Sequence, residues 1–326
     1  APIAPGFGRA MEEAARTFRP DVVHVHMPNL SAFWLLRSRA LTDVPWVIHW
    51  HADVAADTMS PGLSLAYPVY RPMEQALLKR AVRVIVTSPP YLDSSKALAP
   101  WRKKCVVIPL GLDARRLEAT DDRSGGTVER AFPVRDNADS RLRLLFVGRL
   151  SAYKGLDTLV SAVDLVPGVQ LVIAGEGEER RTLATLIRRL DLQSRVSLLG
   201  HVSDGRKLQL LRDADLLCLP SINRHEAFGL VLVEAMGCGT PVLATRVTGS
   251  GMQWVVDEKT TGWLVEPRDT GAMARLFERL GANRQLLGNA GAAARETFAH
   301  RFEIQPVANA VVDLYGSVTN GGEPGR

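Results

Sequence analysis

Alternation is the feature that most constrains this chain. Short apolar, β-branched runs are separated repeatedly by longer stretches with helical periodicity. Asp21–Val25, Trp46–His49, Val82–Thr87 and Cys105–Ile108 read as buried strands, and Ser31–Leu41 and Pro72–Arg80 between them read as helices. Strand, helix, strand in that order implies parallel pairing, because the helix returns the chain to the end where the previous strand began. The pattern restarts at Leu142. Strands are predicted over Leu142–Val147, Val169–Ala174, Val196–Leu199, Leu216–Leu219, Pro241–Ala244 and Gly262–Val265. Helices are predicted over Leu156–Val163, Glu178–Leu190 and Leu208–Ala214, and from Gly229 to Met236.

Two sets of elements in 326 residues predict two doubly wound, Rossmann-like α/β domains. The first is expected over residues 1–113 and the second over 142–297. Residues 114–141 hold Asp121-Asp122, Gly125-Gly126 and Pro133 without a steady period, and read as a linker with room for a short helix. In the segment 298–326, Phe298–Gly316 has helical periodicity and is expected to pack back on the first domain, with a frayed end after it. Ligand is expected in a cleft faced by both domains, at the carboxyl ends of the strands. A domain of this kind usually opens with a strand and a glycine-rich turn. Here Ala1–Gly6 leads straight into a predicted helix, Gly8–Phe18, so the first domain is expected to lack its opening β-α units.

Composition removes several function classes. The three cysteines, Cys105, Cys218 and Cys238, form no C-x-x-C pair and point to free thiols in a reducing cytoplasm. The seven histidines do not join them at zinc-ligand spacing, so no metal site is expected. No apolar run reaches the roughly 18 residues of a membrane span, and no secretion signal is expected. Residues 1–112 carry thirteen Lys/Arg against eight Asp/Glu, whereas 113–326 carry 27 of each. The basic first part suits an anionic partner such as a lipid-linked phosphate, and with it a peripheral position at the cytoplasmic membrane face. No basic run interleaved with aromatics points to nucleic acid.

The strongest chemical signal is EAFGLVLVEAMGCGTP, in which seven residues separate Glu226 from Glu234. A helix starting at Gly229 offers free N–H groups and a positive dipole end to a phosphate. Glu226 at its mouth can bond sugar hydroxyls, and Glu234 can take a ribose diol. A second signal is Gly148-Arg149-Leu150 with Lys154-Gly155, between strand and helix. Arg149 can grip a diphosphate through two N–H groups, and Lys154 adds a point charge. Together they can neutralise a departing nucleoside diphosphate without a metal. AGEGEER has Gly175 and Gly177, but Arg180 replaces the third glycine of a dinucleotide fingerprint, and a dehydrogenase is rejected. In the first half, His51 at a strand end is expected to face the ligand. His49 is expected to pack inward, and His26 and His24 carry weaker claims.

FVGRLSAYKGLDTLVSA, VIAGEGEER, HEAFGLVLVEAMGCGTPVLAT and TGWLVEPRD resemble the group 1 (family 4) glycosyltransferases of the GT-B fold. DVVHVHMPNL, HWHADV, RAVRVIVTSPPYLDSS and VVIPLGLD agree with this in the first half, so the resemblance spans about residues 18–315. It implies a retaining, metal-independent hexosyltransferase with a nucleotide-diphosphate sugar as substrate and no cofactor. By the same resemblance Arg149 and Lys154 hold the diphosphate, and Glu226 and His51 serve the transferred sugar. Gly148, Gly175, Ala227, Phe228, Gly229 and Leu230 line the donor, and Glu234 takes the ribose. Front-face internal return through an ion pair is the usual proposal for such enzymes, with the leaving diphosphate taking the acceptor proton. The flavour is that of bacterial polysaccharide and lipopolysaccharide enzymes, with mannose favoured as the sugar and a saccharide or lipid-linked saccharide as acceptor. The alternative is a catalytically impaired nucleotide-sugar binding remnant that lacks the N-terminal glycine-rich loop.

Overall fold

The computed structural model describes residues 6–54, 67–118, 132 and 141–319. The chain divides into two compact units, Ala1–Pro109 with Val307–Arg326, and Leu110–Pro306. Each is built on a parallel sheet, as the β-α-β order requires.

In the first unit β1 (Val23–Met27), β2 (Trp46–Trp50), β3 (Arg83–Val86) and β4 (Cys105–Val107) lie in the order β1-β2-β3-β4. All five residues of β2 are buried, which is why its apolar character is continuous rather than alternating. One face of this sheet is met by the helix Ile304–Thr319. Leu314 packs with Val47, Ile85 and Ile108, and Val307, Val311 and Val318 close around them.

In the second unit the order is β10-β9-β8-β5-β6-β7. The strands are β5 (Leu142–Val147), β6 (Val169–Ala174), β7 (Val196–Gly200), β8 (Leu216–Leu219), β9 (Val242–Thr245) and β10 (Gly262–Val265). Successive strands run outward from β5 to β7, and the chain then returns to the other side of β5 as β8. The winding therefore reverses between β5 and β8. Buried Leu144, Phe146, Leu171, Ile173, Leu217, Leu219, Leu243 and Met273 form part of one continuous core.

Several sequence expectations are corrected here. The periodic stretch 298–316 is two helices, Arg284–Arg301 and Ile304–Thr319, broken where Leu112 N–H donates to Phe302 O (2.8 Å) and Ile304 N–H donates to Leu112 O (3.0 Å). Phe298 and Phe302 are buried in the second unit's core, so the segment that joins the first unit begins at Val307 rather than Phe298. The helix runs on through Thr319, past the predicted fraying point at Gly316. Leu30–Arg37 is a 3-10 helix capped by the Asn29 side chain, not an α-helix. Of the expected linker, Ala114–Glu118 is helical and Phe132 is buried in the second unit, while 119–131 and 133–140 lie outside the described residues.

Candidate active site

A ligand of an open parallel sheet binds outside the carboxyl ends of the strands where the winding reverses, because the loops there diverge and leave a crevice. In the second unit that place is β5/β8. The loop after β5 carries Gly148, Arg149 and Lys154, and the loop after β8 carries Ser221–Gly229. Residues 72 positions apart are thus brought together: the Lys154 ammonium donates to a Glu226 carboxylate oxygen, to which the Ser221 hydroxyl also donates at 3.3 Å. The two charged side chains are only 10% and 13% exposed, so each stands in for the water the other has lost.

Backbone ties fix both loops. Ile222 N–H donates to Tyr153 O (2.8 Å), and Gly251 N–H donates to Ala227 O (2.8 Å). The Ser250 hydroxyl donates to Glu226 O. From the β6 side, Glu179 N–H donates to Leu150 O (2.9 Å) and Leu150 N–H donates to Glu176 O (2.9 Å). This brace explains why the next helix starts at Arg180 and not at Glu178. At Gly148 (φ +153°) an added Cβ would stand 3.8 Å from Lys154 Nζ, so bare backbone lies close to the ammonium. Arg149, in contrast, is 74% exposed and pairs with the exposed Glu178, at 3.4 Å.

The helix Leu230–Gly237 begins on the same loop. Its N-cap, Gly229, has φ +80° and supplies no capping side chain, so no side chain takes its first amides, although Leu232 N–H already donates to Gly229 O (2.8 Å). Phe228 is buried and packs edge-on against Phe302, which anchors the loop from below. Its side chain therefore cannot touch a donor, and only its backbone is available. Glu234 is held by Lys207 at 2.8 Å. Burial alone would lower the Lys207 pKa, but hydrogen bonds and charge from Glu234 and Asp204 raise it overall. Sequence reasoning missed Lys207, which follows β7 with no motif around it, and Ser221, whose neighbours are unremarkable in sequence.

The arrangement is a cation beside uncapped helix amides, with carboxylates flanking it, at a sheet's switch point. Residues 128–297, more than half of the chain, match the family model described as glycosyl transferases group 1, and residues 2–111 match that of a glycosyl transferase 4-like domain. The chain belongs to the group 1 glycosyltransferases. It is 28% identical over 298 residues to the O-antigen chain mannosyltransferase C of Escherichia coli, covering 90% of this chain and 75% of that protein. The structure is similar to sucrose-phosphate synthase of Thermosynechococcus elongatus, with TM-score 0.79, 27% identity and coverage of 96% of this chain and 77% of that one. It is also similar to Anabaena HepE in complex with UDP, with TM-score 0.75, 21% identity and coverage of 96% and 82%. The fold is GT-B, two α/β units each on a parallel sheet.

The transferase's first unit holds a feature the sequence reading misjudged. His49 is buried, as expected, but it does not point away from His51: residues two apart along an extended chain share a face, and the two rings stack at 4.4 Å. Because His26 pairs in register with His49, and His24 precedes it by two, all four imidazoles gather on one face. His26 Nδ1 and His51 Nε2 are 2.8 Å apart, and His24 Nδ1 shares a hydrogen bond with the Tyr315 hydroxyl. Burial first, then the charge of neighbouring histidines, lowers the His24 pKa to about 4 and that of His49 to about 3. The same two causes lower His51. The alternating H-x-H of both strands was the signal available in the sequence.

No cysteine of this glycosyltransferase is a nucleophile in waiting. All three are free, and burial pushes the Cys105 thiol up to about 11 and Cys218 further. Among the described residues no helix is long and apolar enough to cross a membrane.

Proposed function

We propose that this glycosyltransferase moves a hexose, with mannose favoured, from a nucleotide-diphosphate sugar to a saccharide or lipid-linked saccharide in cell-surface polysaccharide synthesis, with retention at the anomeric carbon and without a metal. The observation that carries the proposal is the β5/β8 crevice, where Lys154, beside bare Gly148 backbone, pairs with Glu226 on the loop that leads into a helix start no side chain caps. A diphosphate seated there accepts from the first amides of Leu230–Gly237 and takes the Lys154 ammonium from Glu226. Freed of its cation, Glu226 accepts hydroxyls of the transferred sugar, while Glu234 accepts from the ribose. Arg149 swings from its exposed partner to the phosphates.

In this mechanism the bond from the anomeric carbon to the phosphate oxygen breaks, and its electron pair leaves with the diphosphate. Lys154, Arg149 and the helix amides stabilise that charge, which is the work a divalent ion does elsewhere. The acceptor hydroxyl adds on the face just vacated, and its proton passes to the departing phosphate oxygen. Support for a nucleotide donor comes from the UDP held by HepE, and support for a polysaccharide role and for mannose from the O-antigen mannosyltransferase.

The test is a panel of labelled nucleotide sugars offered with saccharide and lipid-linked acceptors, with the product's anomeric configuration read by NMR and EDTA added in parallel. Transfer with retention, unchanged by EDTA, is expected. Inversion, or loss of rate on chelation, would overturn the mechanism. Donor binding without transfer or hydrolysis would leave a nucleotide-sugar binding protein.

A further inference from the structure

The four-histidine face of the first unit is more than a packing device. One ring nitrogen from each of His24, His26 and His49 lies within 4.8 Å of the others. The geometry follows from the sheet. Side chains two apart on β1 share a face, and β2 lies beside β1 at the strand spacing of roughly 4.8 Å, so three imidazoles form a triangle over the sheet. Their other nitrogens are already engaged in two of three cases, His24 Nδ1 by the Tyr315 hydroxyl and His26 Nδ1 by His51. The Nε2 atoms of His24 and His49 are buried without a hydrogen-bond partner, and His49 is only 9% exposed. A buried polar atom left alone is a cost that a ligand removes.

We propose that His24, His26 and His49 bind a divalent transition-metal ion of imidazole preference, of the Zn2+ type, through their Nε2 atoms. Three nitrogen ligands leave a fourth tetrahedral position open to water or another oxygen. Zinc–nitrogen bonds of about 2.0–2.1 Å bring ligand nitrogens to about 3.3–3.4 Å from one another. The three rings lie stacked, with interplanar angles of 8°, 23° and 24°, so binding requires them to turn their nitrogens inward as well as to close. Metal-bound histidines characteristically donate their other N–H to a fixed partner, and Tyr315 and His51 occupy those places for His24 and His26. Binding through Nε2 leaves the proton of His26 on Nδ1, so His26 then donates to His51 Nε2. None of these three ligands belongs to the loops of the second unit that carry Lys154 and Glu226.

The experiment uses the whole chain stripped of metal, with Zn2+ alone as titrant in calorimetry and Co2+ as a spectroscopic probe, and with no sugar donor present. One ion per chain is expected, with the visible absorption of tetrahedral, nitrogen-ligated Co2+. His26→Ala removes an exposed ligand without touching the core and is expected to weaken Zn2+ binding at least about tenfold. His49→Gln should do the same, and His201→Ala, at an exposed residue outside the cluster, should not. Absence of Zn2+ binding by the wild type, or affinity unmoved by both His26→Ala and His49→Gln, overturns the site. Because no donor or acceptor enters the assay, failure here leaves the transfer mechanism untouched, and failure of transfer leaves this site untouched.

Discussion

In the second unit, Lys154 and Glu226 stand on loops after two adjacent strands and neutralise one another; in the first, His24, His26 and His49 stand on two adjacent strands with His51 just past the second, and burial holds His24 and His49 well below the usual imidazole range. Both groups occupy parallel sheets and both are largely withdrawn from water. They differ in how that withdrawal is compensated. A largely buried ion pair is costly to build and only partly repaid by its own attraction, so an incoming diphosphate can compete for the cation. A stack built on the neutral imidazoles of His24 and His49 has no ion pair to trade. It acquires charge only from a proton or a metal ion, and it leaves nitrogens without partners meanwhile. The pair is thus suited to exchange partners in each turnover, and the stack to hold an occupant.

The sharpest way to break that contrast is to remove the cation. Lys154→Ala should lower transfer about a hundredfold, near 2.7 kcal/mol of barrier, because one preorganised donor to the leaving group is lost. Glu226→Ala should cost at least about tenfold. Since both act on one bound donor, the double variant should be no slower than the worse single one. Steady-state kcat/KM with the preferred donor decides it, and full rate in both single variants would show that the ion pair is structural.

A pH titration of stability sharpens the other side. In the metal-stripped chain, His24 and His49 have folded pKa values of about 4 and about 3, against about 6.5 unfolded. Folded values below unfolded ones mean that the unfolded chain binds protons that the folded unit refuses. Their contribution is therefore complete above about pH 6.5 and is lost as pH falls from there towards 4 and 3. The loss is at most about 1.4 kcal/mol per pH unit for each histidine. The groups facing them are His26, His51 and the Tyr315 hydroxyl, and none is an acid that would hold the charge. Denaturant midpoints followed from pH 7.5 to 4.5 should show this slope, and His49→Gln should flatten it; an unaltered slope would mean that the buried rings are not what the acid attacks.

Backbone strain comes next in size. Gly229→Ala places a side chain at φ +80°, with its Cβ 2.8 Å from Leu232 Cδ1 and 3.1 Å from Leu219 Cδ2. A left-handed non-glycine residue alone costs about 1–2 kcal/mol. Gly168→Ala, with no atom within 4 Å of its added Cβ, is the neutral comparison. Equal melting temperatures for the two variants would show that the loop leading into the helix is less tightly held than its contacts indicate.

The second unit was legible because its evidence is local. Strand, glycine, cation and helix follow one another within a dozen residues, and EAFGLVLVE places its carboxylates around one helix start. What stayed hidden required contacts between distant segments. Lys207 meets Glu234 across 27 residues, and Ser221 meets Glu226 only because the turn at Asn223 folds back. The histidine face was misread for a simpler reason. The alternation rule was applied to His49 and His51 as though they were neighbours, and the register that sets His26 beside His49 is a property of two strands that neither displays alone. The break at Phe302 was invisible for the same reason, since it is Leu112 that interrupts the helix there.

Arg149 sets the lower bound of the comparison. It belongs to the same motif as Lys154, yet it is 74% exposed and its partner Glu178 is 53% exposed, at 3.4 Å. A pair so placed contributes little to stability, because water screens it and two long side chains must be ordered to form it. Arg149→Ala should therefore leave the melting temperature unchanged within error. It should raise the donor KM severalfold with a smaller change in kcat, since a guanidinium that reaches the phosphates from solvent binds ground state and transition state nearly alike. Arg149→Lys should restore part of the affinity through its charge but not the two-pronged contact. If Arg149→Ala instead cut kcat as deeply as Lys154→Ala does, the buried ammonium would have no special standing, and stabilisation of the leaving group would belong to both cations of the loop in equal measure.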